Sequence, residues 1–215
     1  MLSFSLTATA GTFGILLLYN LDVILAKHYL GSHEAGIYGG INKVETILYF
    51  LTLSVGQVLF PRVVEAVARN NHPGRLLLLS IGITSLLGVV AIAVFKLFPN
   101  LVVTLLFGSR GFGDAVPYVL VMGVIGLGLS LDNLLVQFLM AVHDRAFLGI
   151  LAAACLVEAV LLVSFHDTLA NVVGDVFAAI FLLLVGLGIR SAMLMPRLEP
   201  ESVAEDGASA RARKA

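Results

Sequence analysis

Residues 76–95, LLLLSIGITSLLGVVAIAVF, run for twenty positions without a charged side chain. Wound as an α-helix, such a run covers about 30 Å, the thickness of a bilayer's hydrocarbon core. The other structure that spans membranes, a β-barrel, needs segments of about ten residues alternating apolar and polar. LLLLSIGITSLLGVV does not alternate. The chain reads as an all-α integral membrane protein.

Hydropathy places six transmembrane helices, at about 3–27, 38–61, 75–97, 115–142, 146–165 and 169–193. Only 13% of the 215 residues are charged, where a soluble domain carries about a quarter. The N-terminus lacks a basic n-region and its apolar stretch is too long for a signal peptide, so the first segment reads as a retained membrane helix. Between the third and fourth spans, LVVTLLFG is too short to cross and GSRGFGD reads as a loop. The fifth and sixth spans are joined only by His166, Asp167 and Thr168, which makes them antiparallel neighbours. Residues 196–215 are polar and small and are expected to be a disordered tail.

With an even number of spans, both termini share a side. That side collects Arg62, Arg69, Arg75, Arg145, Arg190, Arg197, Arg211, Arg213 and Lys214, against Lys27, Lys96 and Arg110 opposite. Without the last three, which stand far from the membrane, the balance is still six to three. Basic residues mark the cytoplasmic face. The expected location is the cytoplasmic (inner) membrane with both termini in the cytoplasm.

Polar groups at membrane depth are the candidates for function. An isolated charge at mid-bilayer costs about 2.5–3.5 kcal/mol on insertion scales, and such groups usually face a bundle interior or a wet cavity. The transport-path candidates are Asn20, Asp22, Asn42, Lys43, Glu45, Gln57, Asp132, Asn133 and Gln137. Glu158 and Asp175 also lie within spans, with Asn171 nearby. Asn42 and Glu45 share a helix face, as do Asn133 and Gln137, with Lys43 and Asp132 beside those stripes. Asn20 and Asp22 stand about 200° apart around their helix, so only one points squarely at a given cavity. A wet, polar lining built from the first, second and fourth spans is the functional reading.

Structural readings stand beside it. Asp22 and Lys43 lie near one end of adjacent helices and could pair to fix the hairpin. Glu45 is about two turns into its helix, within reach of the interface. Glu158 is central in its span with no partner named by sequence, and fits a protonated carboxyl against a neighbouring helix as well as a transport role. Small residues at Ala10 and Gly14, at Gly123, Gly126 and Gly128, and at Gly186 and Gly188 suit close helix packing.

Enzyme chemistry finds little support. His28, His33, His72, His143 and His166 are scattered over links and span ends without metal-ligand spacing. No serine sits in a hydrolase motif, and no strand precedes a glycine-rich phosphate loop. The basic residues flank spans and do not form a nucleic-acid patch. Cys155 is the sole cysteine, so no intramolecular disulfide forms, and it reads as a small apolar residue. Catalytic residues, metal and cofactor are all expected to be absent, leaving H+ or Na+ coupling as the one ionic requirement to consider.

The stretch YNLDVILAKHYLGSHEAGIYGGINKVETILYF, followed by VGQVLFPRVVEA, resembles the oligosaccharide-lipid flippases of the multidrug/oligosaccharidyl-lipid/polysaccharide exporter superfamily. The matching features are Asn-x-Asp (Asn20, Asp22), a link with Gly-x-Tyr (Gly36, Tyr38), and the Leu59-Phe60-Pro61 element. LLFGSRGFGDAVPYVLVMG resembles a later family element, and the likeness covers about residues 15–190. It implies one six-helix lobe, the C-terminal one, of a transporter with two lobes around a central cavity. Such a transporter passes an undecaprenyl-linked oligosaccharide between leaflets by alternating access. The remaining partner would be an N-terminal lobe or a second copy. Multidrug/cation antiport, peptidoglycan-precursor flipping, and a non-transporting scaffold or truncated remnant are the competing functions.

Overall fold

The computed structural model describes residues 2–69, 71–108 and 113–198. Most of the expected tail, and the Arg110 portion of the 108–114 loop, lie outside the described residues. Those residues form seven α-helices: α1 Leu2–Tyr29, α2 Ser32–Ala68, α3 Pro73–Leu97, α4 Pro99–Phe107, α5 Val119–Ala141, α6 Ala146–Ser164 and α7 Leu169–Leu194. Short 3-10 turns at Gly113–Tyr118 and Met195–Arg197 precede α5 and follow α7. No strand occurs among the described residues. Six helices are long and apolar enough to cross a membrane, and the nine-residue α4 is not among them. The chain is an all-α, multi-pass membrane protein.

Local signals explain four of the helix ends. Pro73 and Pro99 open α3 and α4 at the first turn, where the missing N–H has no intrahelical partner to lose. Gly108 ends α4 at φ 80°, a conformation that glycine adopts without a Cβ clash. Thr168 caps α7, its hydroxyl accepting the Asn171 backbone N–H at 3.2 Å.

Two boundaries differ from the hydropathy reading. The α1–α2 link is shorter than the gap between the first two expected spans, because α1 runs to Tyr29 and α2 already begins at Ser32. At its other end, α2 passes through Pro61 and continues to Ala68. Proline removes one i→i−4 hydrogen bond, which frees the carbonyl of Gln57, yet a helix with packed neighbours can absorb that loss. Arg62 and Glu65 are therefore displayed on a helix and not in a polar link.

The six spanning helices alternate in direction. At one end Tyr29 stacks on His166 with ring centroids 4.3 Å apart, and His33 lies 3.5 Å from Asp114. At the opposite end Arg190 grips Asp144, and Met195 of the 3-10 turn packs beside Gly74. α5 is the central helix, packed on α2, α3 and α7, while α6 packs on α1 and α7. The outward faces of α3 and α6 carry exposed Leu86, Val89, Val90, Leu156 and Val160. In water these faces would be an aggregation hazard, whereas lipid solvates them.

Glycines set how closely helices approach. A Cβ on Gly126 would lie 2.9 Å from the Glu45 carbonyl oxygen, so α5 and α2 meet backbone to backbone there. Gly14 accommodates Leu151, Gly123 Phe95, Gly128 Ile180 and Gly186 Ile150. Gly188 meets nothing within 4 Å, and Ala10 is exposed, so these two do not serve the contacts that their spacing suggested.

Candidate functional site

The polar residues expected to share one lining fall into two groups and three outliers. The first group surrounds a cavity of about 390 Å³ between α1, α2 and α5, with Thr12, Tyr49, Gln57, Asn133 and Gln137 as its polar wall. Asn133 and Gln137, one helical turn apart, face it together. Gly56 makes room for them, since a Cβ there would sit 2.6 Å from the Gln137 side-chain nitrogen. Gln57 and Thr12 are exposed at the rim, so the cavity opens through the side of the bundle.

The second group lies nearer the α1–α2 turn and is enclosed. Asp22 is 1% exposed. The Tyr38 hydroxyl donates to its Oδ2 at 2.6 Å, the Asn42 side-chain nitrogen donates to the same oxygen at 3.3 Å, and the Val23 N–H donates to Oδ1 at 2.7 Å. Asn42 also reaches Glu45 Oε2 at 3.4 Å, and Glu45 is 1% exposed. Glu158 of α6 is 0% exposed, and neither of its oxygens has a hydrogen-bond partner among the described residues. The carboxyls of Asp22 and Glu158 lie within electrostatic reach of Glu45, so α1, α2 and α6 each carry a buried acid that the others influence.

A polar seam runs from this cluster towards the cavity. The Tyr19 hydroxyl donates to Thr46 Oγ1 at 2.6 Å, and Thr46 donates to the Asn42 carbonyl at 2.8 Å. The Tyr19 ring then packs on Tyr49, 5.4 Å between centroids, and Tyr49 is part of the cavity wall.

The outliers correct the single-lining reading. Asn20 is exposed and spends its amide on its own helix, donating to the Leu16 carbonyl at 2.7 Å. Lys43 is exposed and faces away from the bundle, so the hairpin ion pair with Asp22 does not form. Asp132 is buried with both oxygens unpartnered among the described residues. It stands one turn from Gly128, whose neighbour is Ile180 of α7, and not on the cavity stripe. Glu45 is buried, and its stretch of α2 backbone is pressed against Gly126 of α5.

Sequence reasoning passed over Tyr38 as a donor. The signal was present: positions 38, 42 and 45 form one stripe of α2, and a tyrosine on the stripe of two acids' partners is placed to donate. Tyr19 and Tyr49 carry no such pattern with their partners and needed the tertiary structure. No three His, Cys, Asp or Glu side chains among the described residues are grouped to hold a metal ion.

No protein-family model, curated protein or solved structure matches this chain.

Proposed function

We propose that the chain is one lobe of a membrane transporter that flips a lipid-linked oligosaccharide across the cytoplasmic membrane for polysaccharide biosynthesis. The observation that carries this reading is the side-opening cavity of α1, α2 and α5, a mostly apolar wall that sets the amides of Gln57, Asn133 and Gln137 beside Thr12 and Tyr49. Neutral amides both donate and accept, which suits sugar hydroxyls. Amides exposed to hydrocarbon cost free energy, so a rim holding Gln57 calls for a partner that supplies the opposite wall. An N-terminal lobe or a second copy would do so, and rocking of two lobes around a shared site is a general transporter plan.

Complementation tests the proposal. In cells lacking a flippase, co-expression of the chain with its second lobe restores glycan export. The Gln57→Leu/Asn133→Leu/Gln137→Leu variant abolishes that export, and Cys155→Ala retains it. Full export by the triple-leucine variant would refute the cavity as the glycan path. Failure of every lobe combination, with the chain monomeric, would favour a non-transporting scaffold or remnant.

The buried acids of Asp22, Glu45 and Glu158 favour a second reading, a cation-coupled multidrug antiporter. Protonation of these carboxyls would relieve accumulated charge in that enclosure. Drug-stimulated proton or sodium exchange in vesicles, lost in Glu45→Gln, would support antiport over glycan flipping.

A further inference from the structure

Because α2 continues past Pro61, it carries Arg62, Glu65 and Arg69 along one side at its end. Across the hairpin, α3 starts with Pro73 and presents Arg75 in its first turn. These residues, with His72, wall a recess of about 480 Å³ between the two helices. Glu65 offsets one arginine through its 2.9 Å bridge to Arg69, which leaves Arg62 and Arg75 without an ion-pair partner among the described residues. The start of α3 adds to this positive field, since its N-cap makes no side-chain hydrogen bond to the first-turn N–H groups.

The basic recess is continuous with an apolar groove. Arg62, Leu76 and Leu79 belong both to it and to a second space of about 460 Å³, walled further along by Val58, Ser80 and Ile83. From Arg75 to Ile83 the groove follows α3 for about 12 Å. It lies on a different side of α2 from the polar cavity, so a second lobe covering the cavity leaves the groove facing lipid.

We infer that the α2–α3 groove is a binding site for an anionic phospholipid, with the phosphate headgroup held by Arg62 and Arg75 and one acyl chain laid against Val58, Leu79 and Ile83. Charge complementarity selects this occupant. A zwitterionic lipid brings its own cation to the arginines, and a soluble anion leaves the apolar half empty. A two-fold contact with another copy would set the same arginines against each other. Basic pockets between membrane helices hold acidic headgroups in this way.

The chain contains no tryptophan, so a single introduced indole reports one place. Val58→Trp and Ile83→Trp place it in the groove, and Leu156→Trp places it on the lipid-facing side of α6 as reference. Each full-length variant is reconstituted in phosphatidylcholine vesicles containing equal mole fractions of brominated phosphatidylglycerol or brominated phosphatidylcholine. The groove reporters are expected to be quenched severalfold more by the anionic lipid and the reference equally by both. Arg62→Gln/Arg75→Gln in the reporter background brings the two lipids to parity, and millimolar inorganic phosphate leaves the preference intact. Equal quenching at both groove positions, or a preference that survives the double substitution, overturns the inference. Loss of the preference on adding phosphate overturns the lipid as occupant. Native mass spectrometry of the chain without tryptophan supplies a second measurement: phosphatidylglycerol stays bound through purification, and the Arg62→Gln/Arg75→Gln form releases it. Neither readout depends on transport, so the glycan proposal can fail while this site stands.

Discussion

Asp22 is held by donors from two helices, and its partners rank by geometry. The Tyr38 contact is the shortest, and the Asn42 amide is divided between Asp22 and Glu45. Removing a donor from a buried acceptor costs about 1–3 kcal/mol, since the acceptor keeps its desolvation penalty. Tyr38→Phe should therefore lower the thermal midpoint of the detergent-solubilised protein, while Lys43→Ala, at an exposed site, should leave it unchanged. An equal loss in both would contradict the buried cluster. Lys43 faces away from both polar groups, so under the proposed transport function Asp22→Ala should impair transport more than either Lys43→Ala or Cys155→Ala. A further residue-scale effect sits at Asp144 in the α5–α6 link. Arg190 donates to both Asp144 oxygens, at 2.6 and 3.0 Å, and this bidentate bond holds the Asp144 carboxyl below its ordinary value of 3.8. A lowered carboxyl stabilises the fold fully above its unfolded value and loses that contribution as pH falls through the folded one. Asp144→Asn should reduce the melting temperature near pH 7 and flatten its decline below about pH 4, as read by thermal melts across pH.

Helix α5 illustrates what one element contributes beyond its span. It closes on α2 at Gly126, where a Cβ would approach the Glu45 carbonyl to 2.9 Å, with backbone and not a pliable side chain in the way. Gly126→Ala should cost about 1–3 kcal/mol of overpacking, and Gly126→Leu more. Gly174, with nothing within 4 Å, should accept alanine at no loss. Comparison of the three melts checks whether the α2–α5 contact limits stability. The small-residue spacing announced this packing at Gly14, Gly123, Gly126, Gly128 and Gly186 but could not distinguish them from Gly188. Spacing reports which residues share a face, and the rotation of the helix about its axis decides whether anything meets that face.

Across the whole molecule, the links at one end join α5 to α6 and α2 to α3, and those at the other join α1 to α2 and α6 to α7. The basic residues Arg62, Arg69, Arg75, Arg145 and Arg190 gather at the first of these ends. Protease added outside intact cells should spare a tag fused after Ala215, and cleavage there would reverse the proposed orientation. If the chain is one lobe of two, as proposed, the pair should form a stable complex that buries the Gln57 rim, seen as protection of a Gln57→Cys thiol from a membrane-impermeant maleimide. Equal labelling of free and paired chain would exclude the cavity as the lobe interface.

Hydropathy by itself determined the all-α class and the six spanning helices, because an uncharged run of about twenty residues admits few other solutions in a bilayer. It also placed polar residues at depth and paired Asn133 with Gln137, since helical periodicity acts within one element. Whether α2 stopped at Pro61 depended on neighbours able to hold a helix with a missing hydrogen bond. Only the tertiary structure divided the polar residues into an open cavity and a closed acidic cluster, turned Lys43 outward, brought Tyr38 to Asp22, and set Glu158 within electrostatic reach of both acids. The length of a helix is a local property of its residues, whereas the direction its polar side faces is set by the helices that pack around it.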